Sequence, residues 1–353
     1  MVATPVVSPD SVKDYYESLK PFWHPVMPAA ELNDVPVAHA DLLDTPLAIT
    51  RLNGELVALS DVCRHFQAQL SLGAVRRVEG HGECLMCPYH GWTYTNDGRC
   101  VDIPQMMPGR TIPESARVDS YRVQEMYGLI WVCLADEPAR DIPHLPNLGA
   151  PGFLPGPLRT YAPWVSSAPR VIMAALDDTH GAWVHNGLVG DRSHPEPPDH
   201  RVSRNGWDLV VDFTMWQPNN ATIADDEARE TLREVAITTT VGIPNTIHFT
   251  IRALDSDERV TLIWQAVCPA QYNRTLIFWG SARNYDLDQP AWDPEFEKLQ
   301  DTLREQDRCV VESQKPWLLP PFWTKVELPM RPADLPLIEY QRWLQELGIV
   351  TDI

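Results

Sequence analysis

Basic residues are scarce in this chain of 353 amino acids. It holds 29 Lys and Arg against 48 Asp and Glu, which gives a net charge of −19 at neutral pH. A chain this acidic has no electrostatic attraction to nucleic acid or to an anionic membrane surface, so we expect neither as a partner. The sequence also lacks a run of 18 apolar residues, which excludes a membrane-spanning helix.

Cysteine is infrequent as well, and the seven cysteines are an odd number. So low a count does not form the disulfide framework of a small secreted protein. The N-terminal segment shows no basic stretch followed by an apolar one, so we expect no secretory signal and a cytoplasmic location. Proline, in contrast, is abundant: the 33 prolines are scattered along the chain, which indicates long ordered loops.

Turn signals and alternating apolar residues predict two structural regions. After an N-terminal extension at 1–20, residues 21–137 contain short strand patterns, among them a hairpin signal at Asn53-Gly54 and a wholly apolar stretch at Gly128–Leu134. We therefore expect an all-β domain over 21–137. A connector over 138–163 carries seven prolines, which should prevent regular strand pairing.

The second region, 164–353, mixes helices with strands. A helix is predicted over 170–187, five strands follow between 201 and 285, and two further helices are predicted over 294–315 and 334–347. Successive strands joined by short turns favour an antiparallel sheet. The predicted fold class is therefore α+β, with an all-β domain followed by a domain of antiparallel sheet and helices.

Two short motifs in the all-β region combine cysteine with histidine. Cys63-Arg64-His65 and Cys87-Pro88-Tyr89-His90 each follow a predicted strand. Two thiolates and two imidazoles can close a tetrahedral zinc site, or they can hold a [2Fe–2S] cluster with the cysteines on one iron and the histidines on the other. The C-x-H spacing differs from the usual zinc spacings, which favours the cluster. Cys84 lies three residues before Cys87 and could compete as a ligand, but we assign it a structural or spare role.

A second set of metal-ligand types lies on the predicted helix of the α+β region. Asp177, His180 and His185 fall within nine residues. Two histidines and one carboxylate form the facial triad that binds ferrous iron and leaves positions open. On an ideal helix His180 and His185 would point about 140° apart, so we expect the helix to bend, end or bulge near Gly181. Alone, such a pair is more often two hydrogen-bonded histidines than a metal site.

Together these motifs resemble those of the Rieske non-haem iron oxygenases. The string CxH…CPYHGW resembles the Rieske iron–sulfur motif, and D-x-x-H-x₄-H farther along resembles the iron-binding motif of the catalytic domain. The length, the domain order and the closing segment Glu312–Pro321 are most similar to single-subunit oxygenases such as the dicamba and vanillate O-demethylases. The resemblance implies a Rieske [2Fe–2S] domain followed by a helix-grip-like catalytic domain.

The resemblance also implies the ligands of two metal centres. The implied ligands of the [2Fe–2S] cluster are Cys63, His65, Cys87 and His90. The implied ligands of a mononuclear Fe(II) are His180, His185 and, on a late helix, Asp307. The alternatives for that carboxylate are Asp301, Glu305 and Glu312.

The family further implies a homotrimer, in which the cluster of one chain faces the iron of its neighbour. Asp177 would then bridge His90 and His180 across the interface and carry electrons between the centres. The implied electron donor is a ferredoxin or flavin reductase that draws on NAD(P)H, and O₂ is the co-substrate. Arg64, Arg76 and Arg77 lie near the cluster motifs and would either dock an acidic donor or be ordinary solvated arginines.

The implied function is that of a terminal oxygenase acting on a small aromatic or methylated organic substrate. Hydroxylation or oxidative demethylation is favoured, and the alternatives are a cis-dihydroxylating dioxygenase, a Rieske-type electron carrier and a zinc-stabilised binding module. The substrate and its contacts stay unknown, and the sequence shows no arginine cluster that would announce a carboxylated aromatic.

One face of the predicted sheet should line the substrate pocket. The aromatic candidates for this lining are Trp207, Trp216, His248, Trp264, Phe278 and Trp279. His194 and His200 lie in a proline-rich loop and are expected to be surface histidines.

Overall fold

A computed structural model describes residues 7–218, 231–254, 258–288 and 292–349. The contacts divide the chain into two compact units. The β unit comprises Lys20–Ile142 and Cys268–Gln271, and the α+β unit comprises Met1–Leu19, Pro143–Val267 and Tyr272–Ile353. No helix among the described residues is long and apolar enough to cross a membrane.

The β unit is built from two antiparallel sheets. One has six strands in the order β1-β10-β9-β4-β3-β2, and the other has four in the order β5-β6-β7-β8. The strands are β1 His24–Pro28, β2 Val37–Leu42, β3 Thr45–Leu52, β4 Glu55–Ser60, β5 Ala74–Val78, β6 Gly82–Met86, β7 Thr93–Tyr94, β8 Cys100–Asp102, β9 Ser120–Met126 and β10 Leu129–Cys133.

Local sequence explains the central strands of this unit. Asn53 and Gly54 both have positive φ, at 54° and 82°, which is the backbone that a two-residue hairpin between β3 and β4 requires. All five residues of β10 are buried, as its uninterrupted apolar sequence predicts. The all-β prediction for this region is confirmed.

The α+β unit contains one large antiparallel sheet in the order β11-β18-β17-β16-β15-β14-β13, with β12 also paired to β18. Its strands are β11 Leu154–Pro155, β12 Arg159–Trp164, β13 Arg201–Asn205, β14 Asp208–Pro218, β15 Leu232–Gly242, β16 Thr246–Ala253, β17 Val260–Gln271 and β18 Arg274–Arg283. The helices are α1 Pro9–Leu19, α2 Ala168–Leu176, α3 Gly181–Val184, α4 Trp292–Val311 and α5 Leu335–Glu346.

Two local expectations for this unit differ from the structure, and one segment forms a helix that was not predicted. The first of the five predicted strands is two strands, β13 and β14, because Gly206 turns the chain with φ of 59°. Part of the proline-rich connector pairs with the sheet against expectation, since β11 and β12 both add to the edge of β18. The register of β12 shifts between Tyr161 and Trp164, where Pro163 has no N–H to give to the ladder. Lastly, α1 occupies part of the predicted N-terminal extension.

Candidate metal centres

The two Cys/His motifs lie on loops that follow β4 and β6. Cys63 and Cys87 are buried, with 1% and 2% of their surface exposed. The rings of His65 and His90 are partly buried, and their centroids lie 4.6 Å apart. Backbone hydrogen bonds from Cys63 N to Ala68 O and from Cys87 N to Trp92 O close the two loops. The fold therefore brings all four predicted cluster ligands into one region.

The donors of this region fit an iron–sulfur cluster. Burial raises the pKa of the Cys87 thiol, and the neighbouring Cys63 raises it further. Its thiolate form at neutral pH therefore requires a nearby cation, and a ferric ion would be one. The buried Nδ1 of His65 has no hydrogen-bond partner among the described residues, which leaves it available as a ligand atom. The Tyr94 hydroxyl lies 3.2 Å from Cys63 Sγ.

A single zinc ion does not suit the same four residues. Tetrahedral ligands of one zinc lie within about 4 Å of one another. Within the described ranges, one group of at least three His, Cys, Asp or Glu residues has ligand atoms that all lie within 4.8 Å of one another. Its members are His180, His185 and Asp307. The Cys/His motifs do not converge on one point, whereas two irons with two ligands each impose no such convergence. Cys84 is buried on β6 and contacts backbone carbonyls, in line with a structural role.

His180, His185 and Asp307 form a compact triangle of ligand atoms. Asp307 Oδ1 lies 3.3 Å from His180 Nε2 and 2.9 Å from His185 Nε2, and the two Nε2 atoms are 3.2 Å apart. Adjacent ligands of an octahedral metal lie about 3.0 Å apart when the metal–ligand distance is about 2.1 Å. The triangle therefore has the dimensions of one face of an octahedron, with the opposite face open.

The break in the predicted helix 170–187 makes this triangle possible. Helix α2 ends at Leu176 because Asp177 adopts an extended backbone with ψ of 122°, and the short helix α3 begins after His180 and ends before His185. Asp177 and His180 therefore do not lie on one helical face. The predicted helix ends at Leu176, ahead of Gly181, and does not continue through Gly181 with a bulge. The Asp177 carboxylate accepts hydrogen bonds from Thr179 N and Thr179 Oγ1 at 2.9 Å each, a turn that competes with helix.

Charges around the triangle favour a cation. Burial alone would raise the pKa of Asp307, but the guanidinium of Arg304 and hydrogen bonds from His180 and His185 lower it well below the usual range. Arg304 Nη2 lies 2.9 Å from Asp307 Oδ2, which leaves Oδ1 for the triangle. Burial would lower the pKa of His180, yet the carboxylates of Asp307 and Asp177 raise it. The same carboxylates would stabilise a divalent ion.

Gln306, which belongs to none of the sequence motifs, forms a hydrogen bond with His185. Gln306 Oε1 lies 2.8 Å from His185 Nδ1, so it accepts the proton on that nitrogen and leaves Nε2 free to bind a metal. Its position beside Asp307 gave no sequence signal for this contact. The alternative carboxylates are engaged elsewhere. Asp301 pairs with Arg159, Glu305 with Arg308, and Glu312 accepts from Val165 N.

A cavity of about 210 Å³ adjoins the triangle. Its walls come from α2, α3, the first three turns of α4 and one face of the large sheet, and most of them are apolar. Of the aromatic candidates only Trp279 lines it, because strand side chains alternate between faces and the inward positions of β14 are Phe213, Met215 and Gln217. The candidates outside the lining are Trp207, Trp216, His248, Trp264 and Phe278.

The cavity contains arginines that the sequence did not signal, and one expectation about a histidine is corrected. The cavity is lined by Arg233, Arg259 and Arg304, which come from separate elements and form no cluster in the sequence. His200 is not a surface histidine, since its side chain is 1% exposed and its Nε2 lies 2.5 Å from Asp178 Oδ2. His194 is exposed.

Comparisons with known proteins cover nearly the whole chain. Residues 22–122 match the Rieske [2Fe-2S] domain and residues 166–348 match the vanillate O-demethylase oxygenase C-terminal domain. Methylxanthine N1-demethylase of Pseudomonas putida is 31% identical over 95% of this chain and 91% of its own length. Methylxanthine N3-demethylase of the same organism is 28% identical over 94% and 90%.

Solved structures agree in fold. The structure of NdmA of Pseudomonas putida CBB5 with caffeine has a TM-score of 0.79, with 28% identity over 95% of this chain and 92% of that one. The structure of dicamba monooxygenase with 3,6-dichlorosalicylic acid has a TM-score of 0.74 at 20% identity and covers 93% and 97%. The predicted α+β class and the order of its two domains are thereby confirmed.

Proposed function

This chain belongs to the Rieske non-haem iron oxygenases, and on that premise we propose that it removes a methyl group oxidatively from a small N-methylated heterocycle. It is a terminal oxygenase, with a [2Fe–2S] cluster in the Rieske domain and a mononuclear iron in the catalytic domain. Its electrons come from a partner reductase or ferredoxin.

The observation that carries the proposal is the triangle of His180, His185 and Asp307 beside a largely apolar cavity. The bound metals supply the electron relay and the activation of O₂. Overall, the methylated substrate, O₂, two electrons and two protons give the demethylated substrate, formaldehyde and water. The apolar walls of the cavity bind the substrate ring and exclude bulk water.

The same residues have distinct proposed tasks. Cys63 and Cys87 would hold one iron of the cluster, and His65 and His90 would hold the other. The mononuclear iron would be held by His180, His185 and Asp307. Gln306 fixes the tautomer of His185 by accepting its Nδ1 proton, and Arg304 keeps Asp307 Oδ2 occupied.

We assign Asp177 the role of an electron-transfer bridge in a homotrimer. Its Oδ2 lies 3.9 Å from His180 Nδ1, and its side chain is 28% exposed, so it can reach a group outside the chain. Phe66 and Tyr89, whose rings lie beside His65 and His90, are 69% and 64% exposed. Exposed aromatic rings at this place support burial against a neighbouring subunit.

An N-methyl substrate is favoured because the two methylxanthine demethylases match this chain from end to end. Dicamba O-demethylase of Stenotrophomonas maltophilia is 38% identical, but only over 36% of this chain. An O-methyl compound is therefore the second candidate substrate class.

The test combines the purified iron-loaded protein with a reductase system, NADH and candidate compounds. Caffeine and theobromine represent the N-methyl class, and dicamba and vanillate represent the O-methyl class. We expect substrate-dependent O₂ uptake with formaldehyde released in equal amount and three irons per chain. A ring diol as the product, or O₂ uptake with no formaldehyde, would overturn the demethylase assignment, and two irons per chain would indicate an electron carrier.

A further inference from the structure

Asp178 contributes a carboxylate to the wall of the cavity beside the metal triangle. It lies two residues before His180, and its side chain is 9% exposed. One oxygen, Oδ2, lies 2.5 Å from Nε2 of His200, whose side chain is 1% exposed. The other oxygen, Oδ1, makes no hydrogen bond to another described residue, and it is not among the unpartnered atoms that the protein covers completely. Oδ1 is therefore accessible from the cavity.

His200 fixes the direction of this carboxylate. A ring proton on Nδ1 would point at no acceptor among the described residues, because that atom is buried without a partner, whereas a proton on Nε2 points at Asp178 Oδ2. His200 therefore donates from Nε2. Its ring packs edge-on against that of Phe213, which also lines the cavity, with the centroids 5.6 Å apart. The protein thus occupies Oδ2 and leaves Oδ1 as a hydrogen-bond acceptor.

We propose that Asp178 Oδ1 accepts a hydrogen bond from a ring N–H of the substrate while a methyl group of the same substrate lies at the metal triangle. This inference rests on the proposed demethylation and makes Asp178 a specificity-determining residue. Two residues of backbone span at most ~7 Å, so Asp178 and His180 lie at the same end of the cavity. The favoured substrates are heterocycles that carry an N–H as well as an N-methyl group.

The position of the acceptor explains why it would discriminate between substrates. In the free enzyme Oδ1 can bind water through the cavity. A substrate that covers this oxygen without donating to it leaves a buried acceptor unpaired, which is unfavourable, whereas a ring N–H replaces the lost bond to water. A site built in this way rejects an analogue that lacks the donor.

Charges around the cavity favour a neutral N–H over an ammonium group. Among the described residues, the cationic side chains of its lining are Arg233, Arg259 and Arg304. The acidic side chains are Asp177 and Asp178 in the lining, Asp307 paired with Arg304, and Asp286 at 3.9 Å from Arg259. Iron at the triangle adds positive charge, so the loaded cavity has no excess of negative charge to attract a cation.

The test compares theobromine with caffeine, which share one ring system and differ at a single ring nitrogen. Theobromine carries N–H at that position and caffeine carries N–CH₃, so only theobromine can donate. Binding to the iron-loaded protein is measured by calorimetry, and turnover is measured as formaldehyde release. We expect theobromine to bind at least about tenfold more tightly, as one hydrogen bond to a charged group provides. N,N-dimethylbenzylamine, a cation at neutral pH, should bind more weakly than theobromine.

The decisive variant is Asp178→Asn, which keeps the size of the side chain. Because His200 donates from Nε2, the new amide must turn its oxygen toward His200 and its NH₂ group toward the cavity. The acceptor becomes a donor, so the preference for theobromine should fall about tenfold, while three irons per chain remain. Asp212→Asn is the matched control, because Asp212 accepts from Thr238 Oγ1 at 2.7 Å and does not line the cavity.

Three results would overturn the proposed subsite. They are equal or tighter binding of caffeine, no measurable binding of theobromine at its solubility limit, and an unchanged preference in Asp178→Asn. The last result would mean that the smaller size of theobromine alone explains its affinity. Tighter binding of the benzylamine than of theobromine would overturn the neutral class of the donor.

The two proposals fail in different ways. If theobromine is preferred through Asp178 and neither compound releases formaldehyde, the subsite stands and the demethylation does not. If theobromine and caffeine are demethylated with equal kcat/KM, the demethylation stands and the subsite does not.

Discussion

At the scale of single residues, the proposed ligand role of Asp307 makes a direct prediction about the mononuclear metal. Asp307 supplies one corner of the ligand triangle from a buried position, and the carboxylates nearest to it in sequence are engaged by other partners. Asp307→Ala should therefore lower the iron content from three to two per chain and leave the visible absorbance of the cluster unchanged. Metal analysis and absorbance spectra measure both.

Asp301→Ala is the matched control for this change, because Asp301 lies on the same helix and pairs with Arg159 away from the triangle. Its iron content should stay at three. Retention of three irons in Asp307→Ala would show that another carboxylate is the ligand.

If Cys63 is a cluster ligand as proposed, Tyr94 should affect the cluster rather than the mononuclear iron. Its hydroxyl lies 3.2 Å from Cys63 Sγ and accepts from Arg64 N, so its proton points at the sulfur. A hydrogen bond to a cluster sulfur stabilises the reduced, more negative state. Tyr94→Phe should lower the reduction potential by about 20–60 mV, since one hydrogen bond contributes ~0.5–1.5 kcal/mol and 59 mV corresponds to a tenfold change for one electron.

A redox titration followed by absorbance measures that potential. Tyr89→Phe is the control, because its ring is 64% exposed beside His90 and no hydrogen bond of its hydroxyl to a cluster cysteine is present in the structure. A potential that does not change in Tyr94→Phe would mean that the hydroxyl gives no net stabilisation to the reduced cluster.

At the scale of elements, the contact between Gly181 and Gly190 sets the position of the short ligand helix α3. A Cβ on Gly190 would lie 2.2 Å from Gly181 C and 2.3 Å from Gly181 O, so only glycine allows this backbone approach. Gly190→Ala must push α3 away from the following loop. We expect weaker iron retention and a loss of stability of about 1–3 kcal/mol, as is typical of overpacking.

Iron retention against a chelator and thermal unfolding test this expectation. Gly149→Ala is the control, because its added Cβ would meet only the Asn147 side chain at 3.6 Å. Full iron retention in Gly190→Ala would show that the loop can move without displacing His180 or His185.

Local sequence signals predicted those elements whose conformation depends on neighbouring residues alone. Asn53-Gly54 predicted its hairpin because positive φ at both positions is a local property, and the apolar run of β10 predicted its burial. The end of α2 was also encoded locally, since the Asp177 carboxylate bonds Thr179 N and so competes with the helix. A prediction from helical periodicity alone does not detect that turn and therefore extends the helix through it.

The cavity could not be predicted in the same way. Arg233 and Trp279 lie on β15 and β18, and Arg259 immediately precedes β17. Whether the side chains of the two strand residues point into the cavity depends on the strand register, and a shift of one residue would turn both of them outward. The contact of Gln306 with His185 likewise needs the tertiary placement of α4, because the residues are 121 positions apart.

At the scale of the whole molecule, the proposed trimer makes a prediction about mixed assemblies. Asp307→Ala should keep the cluster and lose the mononuclear iron, whereas Cys87→Ser should lose the cluster and keep that iron. Each variant alone should be inactive. Co-expressed and purified as mixed trimers through two different tags, they should regain a measurable fraction of wild-type formaldehyde release, because an intact cluster on one chain serves an intact iron on the next.

Mixtures of the two separately purified proteins, which have not exchanged chains, are the control and should stay inactive. Mixed trimers without activity would show that electrons do not cross between chains. Sedimentation of the wild-type protein as a monomer would contradict the homotrimer directly.

Arg304 touches both the carboxylate of Asp307 and the ring of Trp279, which lines the cavity. A compound that displaced the Trp279 ring would shift the guanidinium that is paired with Asp307, so occupancy of the cavity would be communicated to the metal through one side chain, without movement of a loop. Such a link would allow the enzyme to use electrons and O₂ only when a substrate occupies the cavity.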